Sequence, residues 1–184
     1  MIRFAREEDL PRILQIYAPY ILESTASFEY TVPTLEEFTL RFRQITAQFP
    51  WLVYEENGQV LGYAYGSLAF QRAAYHWSAE SSVYLDPNAQ GRGIGRRLYE
   101  VLEYLLQQQG YRKVYAIVTS ENEGSLAFHK AVGYTFVAHM PQIGIKFDRL
   151  LGITWLEKCL KTGDLPSKFP KPIGAVVNID RNFQ

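Results

Sequence analysis

The sequence predicts an α/β fold, three layers built on a mixed central sheet. Two observations predict it. Segments with two-residue apolar alternation or continuous apolar runs are interspersed with segments repeating at three and four residues. Their order is strand, two helices, three strands, helix, strand, helix, two strands. One of the strands also runs into a glycine-rich turn that opens a helix. The 184 residues suffice for one sizeable core and are too few for two comfortable domains. Residues 1–163 are therefore expected to form a single domain, and residues 164–184 an extended, Pro-rich tail.

The elements follow in order. Ile2-Arg3-Phe4-Ala5 alternates and reads as a first strand. Leu10, Ile13, Leu14, Tyr17 and Ile21 mark one face of a helix. Phe28 to Val32 looks extended and stops at Pro33. Thr34 and Glu37 have capping-box spacing and open a second helix, about 35–49. Trp51 to Tyr54 is a strand of buried type, and Asn57-Gly58 supplies the positive φ angles of a tight hairpin into Val60 to Leu68. Trp77 to Leu85 is a further strand, ended by Asp86-Pro87-Asn88. After the glycine turn, Leu98, Val101, Leu102, Leu105 and Leu106 share one helix face, and Gly110 is a natural stop. Val114 to Val118 is a β-type run, and Ser125 to Val132 a short helix ended by Gly133. Tyr134 to Met140 and Ile153 to Leu156 read as two closing strands around a loop. From Gly163 onward, three prolines in a short stretch, Pro166, Pro170 and Pro172, argue for an extended segment packed on the body or on a partner.

Composition excludes several roles. Lys+Arg and Asp+Glu balance at 19 each, so there is no basic footprint for nucleic acid and no steering to an anionic membrane. No apolar run approaches the roughly 20 residues of a membrane span. The charged N-terminus lacks the apolar region of a signal peptide, and the single Cys159 forms no intrachain disulfide, so a cytoplasmic location is expected. With one Cys and three His, no metal site is expected. Cys159 itself is expected to be buried and inert. The 13 Tyr and 11 Phe are assigned mostly to the core, with a few left to line a small-molecule pocket.

The most informative segment is Ser82-Val83-Tyr84-Leu85-Asp86-Pro87-Asn88-Ala89-Gln90-Gly91-Arg92-Gly93-Ile94-Gly95-Arg96. Alternating glycines let successive amides converge and let a ligand approach the backbone. The helix that follows adds unpaired N–H groups and a positive dipole end, which suits phosphate or pyrophosphate. A nucleotide P-loop is excluded because no Lys-Ser/Thr follows the last glycine. The dinucleotide fingerprint is excluded because its third glycine would fall at Arg96. On the residues alone, a strand-to-helix turn that binds nothing stays open.

Gln90-Gly91-Arg92-Gly93-Ile94-Gly95 resembles the coenzyme A signature of the GNAT acetyltransferase superfamily, Gln/Arg-x-x-Gly-x-Gly/Ala, and it follows the Val-Tyr-Leu strand and Asp-Pro turn that accompany it. A second block, Asn122-Glu123-Gly124-Ser125 through Gly133-Tyr134, resembles the downstream Asn-x-x-Ser/Ala … Gly-Phe/Tyr element. Phe28-Glu29, Arg72-Ala73-Ala74-Tyr75, Ala79-Glu80-Ser81-Ser82-Val83-Tyr84 and His139 to Phe147 look like the phosphinothricin and methionine sulfone/sulfoximine acetyltransferase branch.

The resemblance implies a sheet, mostly antiparallel, splayed at a cofactor cleft. It implies acetyl-coenzyme A as co-substrate, with loop amides on its pyrophosphate and the Val83–Leu85 backbone on its pantetheine arm. Side-chain charge would come from Arg92 and Arg96, with Asn122 and Ser125 also at the cofactor. Asn122 is alternatively a plain N-cap. The implied acceptor is a small amine beside a carboxylate. Glu80 is its expected general base, since thioester aminolysis needs a neutral amine and a carboxylate within an apolar strand asks for a reason. The competing reading of Glu80 is an outward-facing residue or a partner of Arg72. His129 falls where many family members carry the tyrosine that protonates the leaving thiolate, and it is otherwise structural. Arg72 is expected to grip the substrate carboxylate, with Phe28 and Tyr75 as its wall. A homodimer is expected from the resemblance, with the tail or the stretch from Met140 to Leu151 near the partner. Two rival functions are acetylation of peptide or protein amines, and a non-catalytic acyl-coenzyme A-binding module.

Overall fold

The computed structural model describes residues 1–166 and 168–183; Ser167 and Gln184, both in the expected tail, lie outside the described residues. The strands are β1 (Ile2–Phe4), β2 (Trp51–Glu56), β3 (Gln59–Leu68), β4 (Ser78–Leu85), β5 (Lys113–Thr119), β6 (Thr135–Lys146), β7 (Arg149–Cys159) and β8 (Asn182–Phe183). The helices are α1 (Leu10–Leu22), α2 (Leu35–Thr46), α3 (Ile94–Gln109) and α4 (Glu123–Ala131). The strands form one sheet in the order β6-β7-β5-β4-β3-β2-β1-β8.

Two apolar clusters lie on opposite faces of this sheet. Leu98, Leu102, Leu105 and Leu106 of α3 pack on Leu52, Ala64, Ala79, Val114, Ala116 and Leu156, and Phe128 of α4 joins them. Ile13, Ile16, Tyr17 and Ile21 of α1 and Phe38 and Phe42 of α2 pack on Trp51, Val53 and Tyr63 from the other side. Three layers result, as the alternating strand and helix periods require.

Local signals act where the sequence placed them. Thr34 Oγ1 accepts the Glu37 amide at 3.2 Å and Glu37 Oε2 accepts the Thr34 amide at 2.8 Å, closing the capping box of α2. Asn57 and Gly58 take φ values of 52° and 75° in the β2–β3 turn. Phe28 to Val32 is irregular rather than a strand.

Three features differ from the sequence reading. The expected loop between β6 and β7 is a continuation of both strands, paired from Gly144↔Leu151 to Lys146↔Arg149. Its turn residues, Phe147 and Asp148, have φ values of 50° and 55°; only cross-strand pairing explains a bulky residue in the left-handed region. Cys159 is exposed at the end of β7 rather than buried. The Pro-rich segment packs on the body, one of its two expected places, with Phe169 stacked on Trp77 at 4.6 Å and Ile173 buried, but it adds a strand the sequence does not mark, β8, paired with β1.

The pairing that positions the site is that of β4 with β5. It is parallel and extends only from Ser78↔Lys113 to Glu80↔Tyr115. Beyond Glu80 the strands part, while β4 stays paired to β3 as far as Gly62↔Leu85. The sheet is therefore split from one edge, and Glu80 stands at the branch point.

Candidate active site

The split opens into a cavity of about 490 Å³. Its walls include Val83, Tyr84 and Leu85 of β4 and Ala116 to Thr119 of β5. Gln90, Gly91, Gly93, Ile94, Gly95 and Arg96 close one end. Asn122, Ser125, Phe128 and His129 close another. Every expected cofactor residue except Arg92 thus lines one space.

The glycine turn has the backbone its sequence called for. Gly91 and Gly93 have φ values of 73° and 75°, and a Cβ at either position would meet nothing within 4 Å. The demand is therefore conformational rather than steric. Gly93 occupies the N-cap position of α3 with no side-chain cap, leaving the first amides of a 16-residue helix free for an anion. Gly95 is different. It lies inside the helix, and a Cβ there would press on the Phe128 ring at 3.3 Å. Arg96 lines the cavity and donates to the Ala131 carbonyl at 3.2 Å. Arg92 instead turns to Glu56, with Nη2 at 2.9 and 2.7 Å from its two oxygens. Asn122 serves both expected roles: its Oδ1 caps α4 by accepting the Ser125 amide at 3.0 Å, and it borders the cavity.

Peptide orientation in β4 follows from its pairing. The Asp86 amide donates to Leu61 of β3 at 2.9 Å, so even-numbered peptide groups face β3 and odd-numbered ones face β5; those of 83 and 85, past the last β4–β5 pair, face the split. These are the groups that an amide-bearing chain could pair with.

Side chains alternate in the other sense. Ala79, Val83 and Leu85 belong to the α3 side and Tyr84 to the α1 side, which puts Glu80 on the α1 side. Burial raises its pKa from the ordinary carboxylate range to about 7, and no neighbouring charge offsets this. The alternative pairing with Arg72 is not formed.

A folded-state pKa of about 7 lies above the unfolded one. This group's contribution to stability is therefore complete below about pH 4.3 and is lost as pH rises through 7. Glu80→Gln removes that loss. The variant should be more stable than the parent by about 1–3 kcal/mol near pH 8 and equal to it near pH 4. Melting curves at both pH values read this; a difference that does not grow with pH means that Glu80 is hydrated.

His129 is 4 % exposed. Its Nδ1 lies 2.7 Å from the Ser125 carbonyl, an acceptor only, so Nδ1 carries the proton. Nε2 then accepts from the Tyr99 hydroxyl at 3.0 Å. Burial lowers the His129 pKa, which favours the neutral ring. Tyr99 also lines the cavity, so the hydroxyl is the O–H group of this pair.

The expected substrate residues lie apart from the cavity lining. Arg72 is exposed, directly before a short 3-10 turn, Ala73–Tyr75. Tyr75 is half-exposed and packs on Phe70, centroids 5.2 Å apart. The Phe28 ring fills the place where Gly144 would carry a Cβ. Sequence reasoning missed Tyr20, Ser81 and Tyr99, which line the cavity. The Tyr20 signal was helical spacing, which reads equally as core; Tyr99 lies one position past the apolar stripe of α3.

Comparison with known proteins bears on this geometry. Residues 2–155 match the family described as an acetyltransferase (GNAT) domain. The chain is 36% identical to a phosphinothricin N-acetyltransferase of Alcaligenes faecalis, over 89% of this chain and 84% of the relative. It is 35% identical to an L-methionine sulfoximine/L-methionine sulfone acetyltransferase of Salmonella typhimurium, over 85% of this chain and 92% of the relative. A solved phosphinothricin acetyltransferase from Sinorhizobium meliloti, in complex with AcCoA, superposes with a TM-score of 0.85 at 34% identity, covering 93% of this chain and 92% of that one.

Proposed function

Because the chain belongs to the GNAT acetyltransferase family, we propose that it moves an acetyl group from acetyl-coenzyme A to the α-amine of a small amino-acid-like substrate. The substrate is of phosphinothricin, methionine sulfoximine or methionine sulfone type, the compounds for which its relatives are named. One observation carries the reading: β4 parts from β5 just past Glu80, a carboxylate with a pKa of about 7, and the free peptide groups beyond it and a left-handed glycine turn open onto one cavity, which Glu80 adjoins through Ser81 without itself lining it.

The residues fit the cofactor. The Gly91–Gly95 turn and the α3 amides would hold its diphosphate, with Arg96 beside them. The Val83 and Leu85 peptide groups would hold its pantetheine arm. Bound there, the cofactor supplies an acetyl thioester. Glu80 takes a proton from the substrate ammonium group, directly or through water, leaving the amine free to attack. The Val83 amide donates to the carbonyl oxygen as charge develops on it. The leaving sulfur takes its proton from the Tyr99 hydroxyl, which neutral His129 orients through Nε2 and which recovers a proton from solvent, or takes it from solvent directly. Arg72, Phe28 and Tyr75 receive the substrate's carboxylate and side chain on the α1 face, where Glu80 also lies. Arg92, held by Glu56, reaches the phosphates only by leaving that pair.

The reading includes a homodimer along β6. This edge strand exposes Phe136, Ile143 and Ile145 at 65%, 55% and 59%, an apolar row on an unpaired edge that a second copy would cover. Sedimentation velocity reads the oligomeric state.

The deciding experiment is thiol release from acetyl-coenzyme A against a panel of phosphinothricin, methionine sulfoximine, methionine sulfone, free amino acids and short peptides. Release is expected with the first three and not with peptides. Preferred turnover of peptides would favour a protein-directed enzyme. Cofactor binding without release for any amine would leave a binding module.

A further inference from the structure

The cleft edge of β4 is already occupied, and the occupant comes from α1. Tyr20 stands in the last turns of that helix, with its ring edge-on to Tyr84 at 5.1 Å. Its hydroxyl donates to the Leu85 carbonyl at 2.6 Å. The Leu85 amide points at the same oxygen from 3.4 Å. Gln90, the first residue of the glycine turn, donates its Nε2 to that oxygen at 3.2 Å. One hydroxyl thus meets both peptide groups that β4 presents at the mouth of the split and also holds the entry to the turn.

A hydroxyl can donate once and accept twice, which is the complement of a strand edge offering one carbonyl and one amide. An amide chain laid along β4 needs those same two groups. The hydroxyl and the amide compete, because each satisfies a carbonyl and an N–H that would otherwise turn to water.

We propose that the Tyr20 hydroxyl is an internal stand-in for an amide of the cofactor's pantetheine arm, holding the Leu85 peptide in the free protein and releasing it when the arm binds. Tyr20 is in this account a positioning residue. It keeps the end of β4 extended and Gln90 in place before the cofactor arrives, at the expense of some cofactor affinity. The inference rests on the acetyl-coenzyme A reading, because it needs an amide-bearing arm.

Calorimetric titration of the whole protein with two ligands tests it. One ligand is acetyl-coenzyme A. The other is adenosine 3′,5′-bisphosphate, which shares the nucleotide end and lacks the arm. Tyr20→Phe keeps the ring on Tyr84 and removes the competitor. It should bind acetyl-coenzyme A about 2- to 10-fold more tightly than the parent, the worth of one net hydrogen bond, with the bisphosphate affinity unchanged. Tyr20→Leu provides a second ratio of the two affinities should the first variant fold poorly, and that ratio should move the same way. Weaker or unchanged acetyl-coenzyme A binding by the variants overturns the proposal, as does an equal change for both ligands. A parent protein that binds no acetyl-coenzyme A instead removes the functional reading on which the inference stands.

Discussion

Glu80→Gln should lower kcat/KM for the preferred amine by about 10²–10⁴, the usual worth of a positioned general base. The amide has nearly the carboxylate's shape and keeps its place at the end of the β4–β5 pairing, so cofactor affinity should hold. The parent's kcat/KM should rise with pH through about 7, as the carboxylate loses the proton that burial helps it keep. The base acts only when ionised, so activity lies on the alkaline side of that step. In the variant this step should vanish, leaving only the rise set by the substrate's own ammonium group. A variant that keeps both turnover and the step near 7 removes Glu80 from the mechanism. The stability difference described above makes the test stricter, because a protein made more stable near pH 8 yet slower there has not simply unfolded.

Gly93→Val should weaken acetyl-coenzyme A binding by about 10- to 100-fold, from some 1–3 kcal/mol of backbone strain. Gly93 has a φ of 75°, and open space lies where a Cβ would go. The damage therefore comes from the peptide that must turn, which re-aims the amides at the N-terminus of α3. Gly93→Asn should retain most of the affinity, because Asn tolerates the left-handed region. Gly95→Val should behave differently, pressing on Phe128 and lowering the melting temperature. Calorimetry and melting of the three variants separate the two causes. Equal binding losses in Gly93→Val and Gly93→Asn would contradict the conformational account.

The readable parts of this protein share one property: their signal is local. Thr34 and Glu37 close their box within one turn. Asn57-Gly58 selects its own φ angles, and the Gln90–Gly95 run carries both its conformation and its place before a helix. Asn122 caps α4 from three residues away. Each needs only its neighbours along the chain, so spacing reveals it.

What the sequence hid depends on partners distant in the chain. In the Phe147-Asp148 turn only Asp148 is a turn residue; Phe147 takes its positive φ because β6 and β7 pair on either side of it. Arg92 turns to Glu56, 36 residues away, and Tyr20 reaches Leu85 across 65. The Pro-rich segment is stitched to the body by the pairing of β8 with β1.

By itself, the sequence determined the order of the layers, the glycine turn, and the two blocks that give the family and its cofactor. The tertiary structure alone decided that β4 leaves β5 at Glu80, which side of the sheet that carboxylate faces, and that burial lifts its pKa to about 7. The reason is physical. Backbone conformation is set by neighbours along the chain, whereas burial and proton affinity are set by whatever the fold packs around a group.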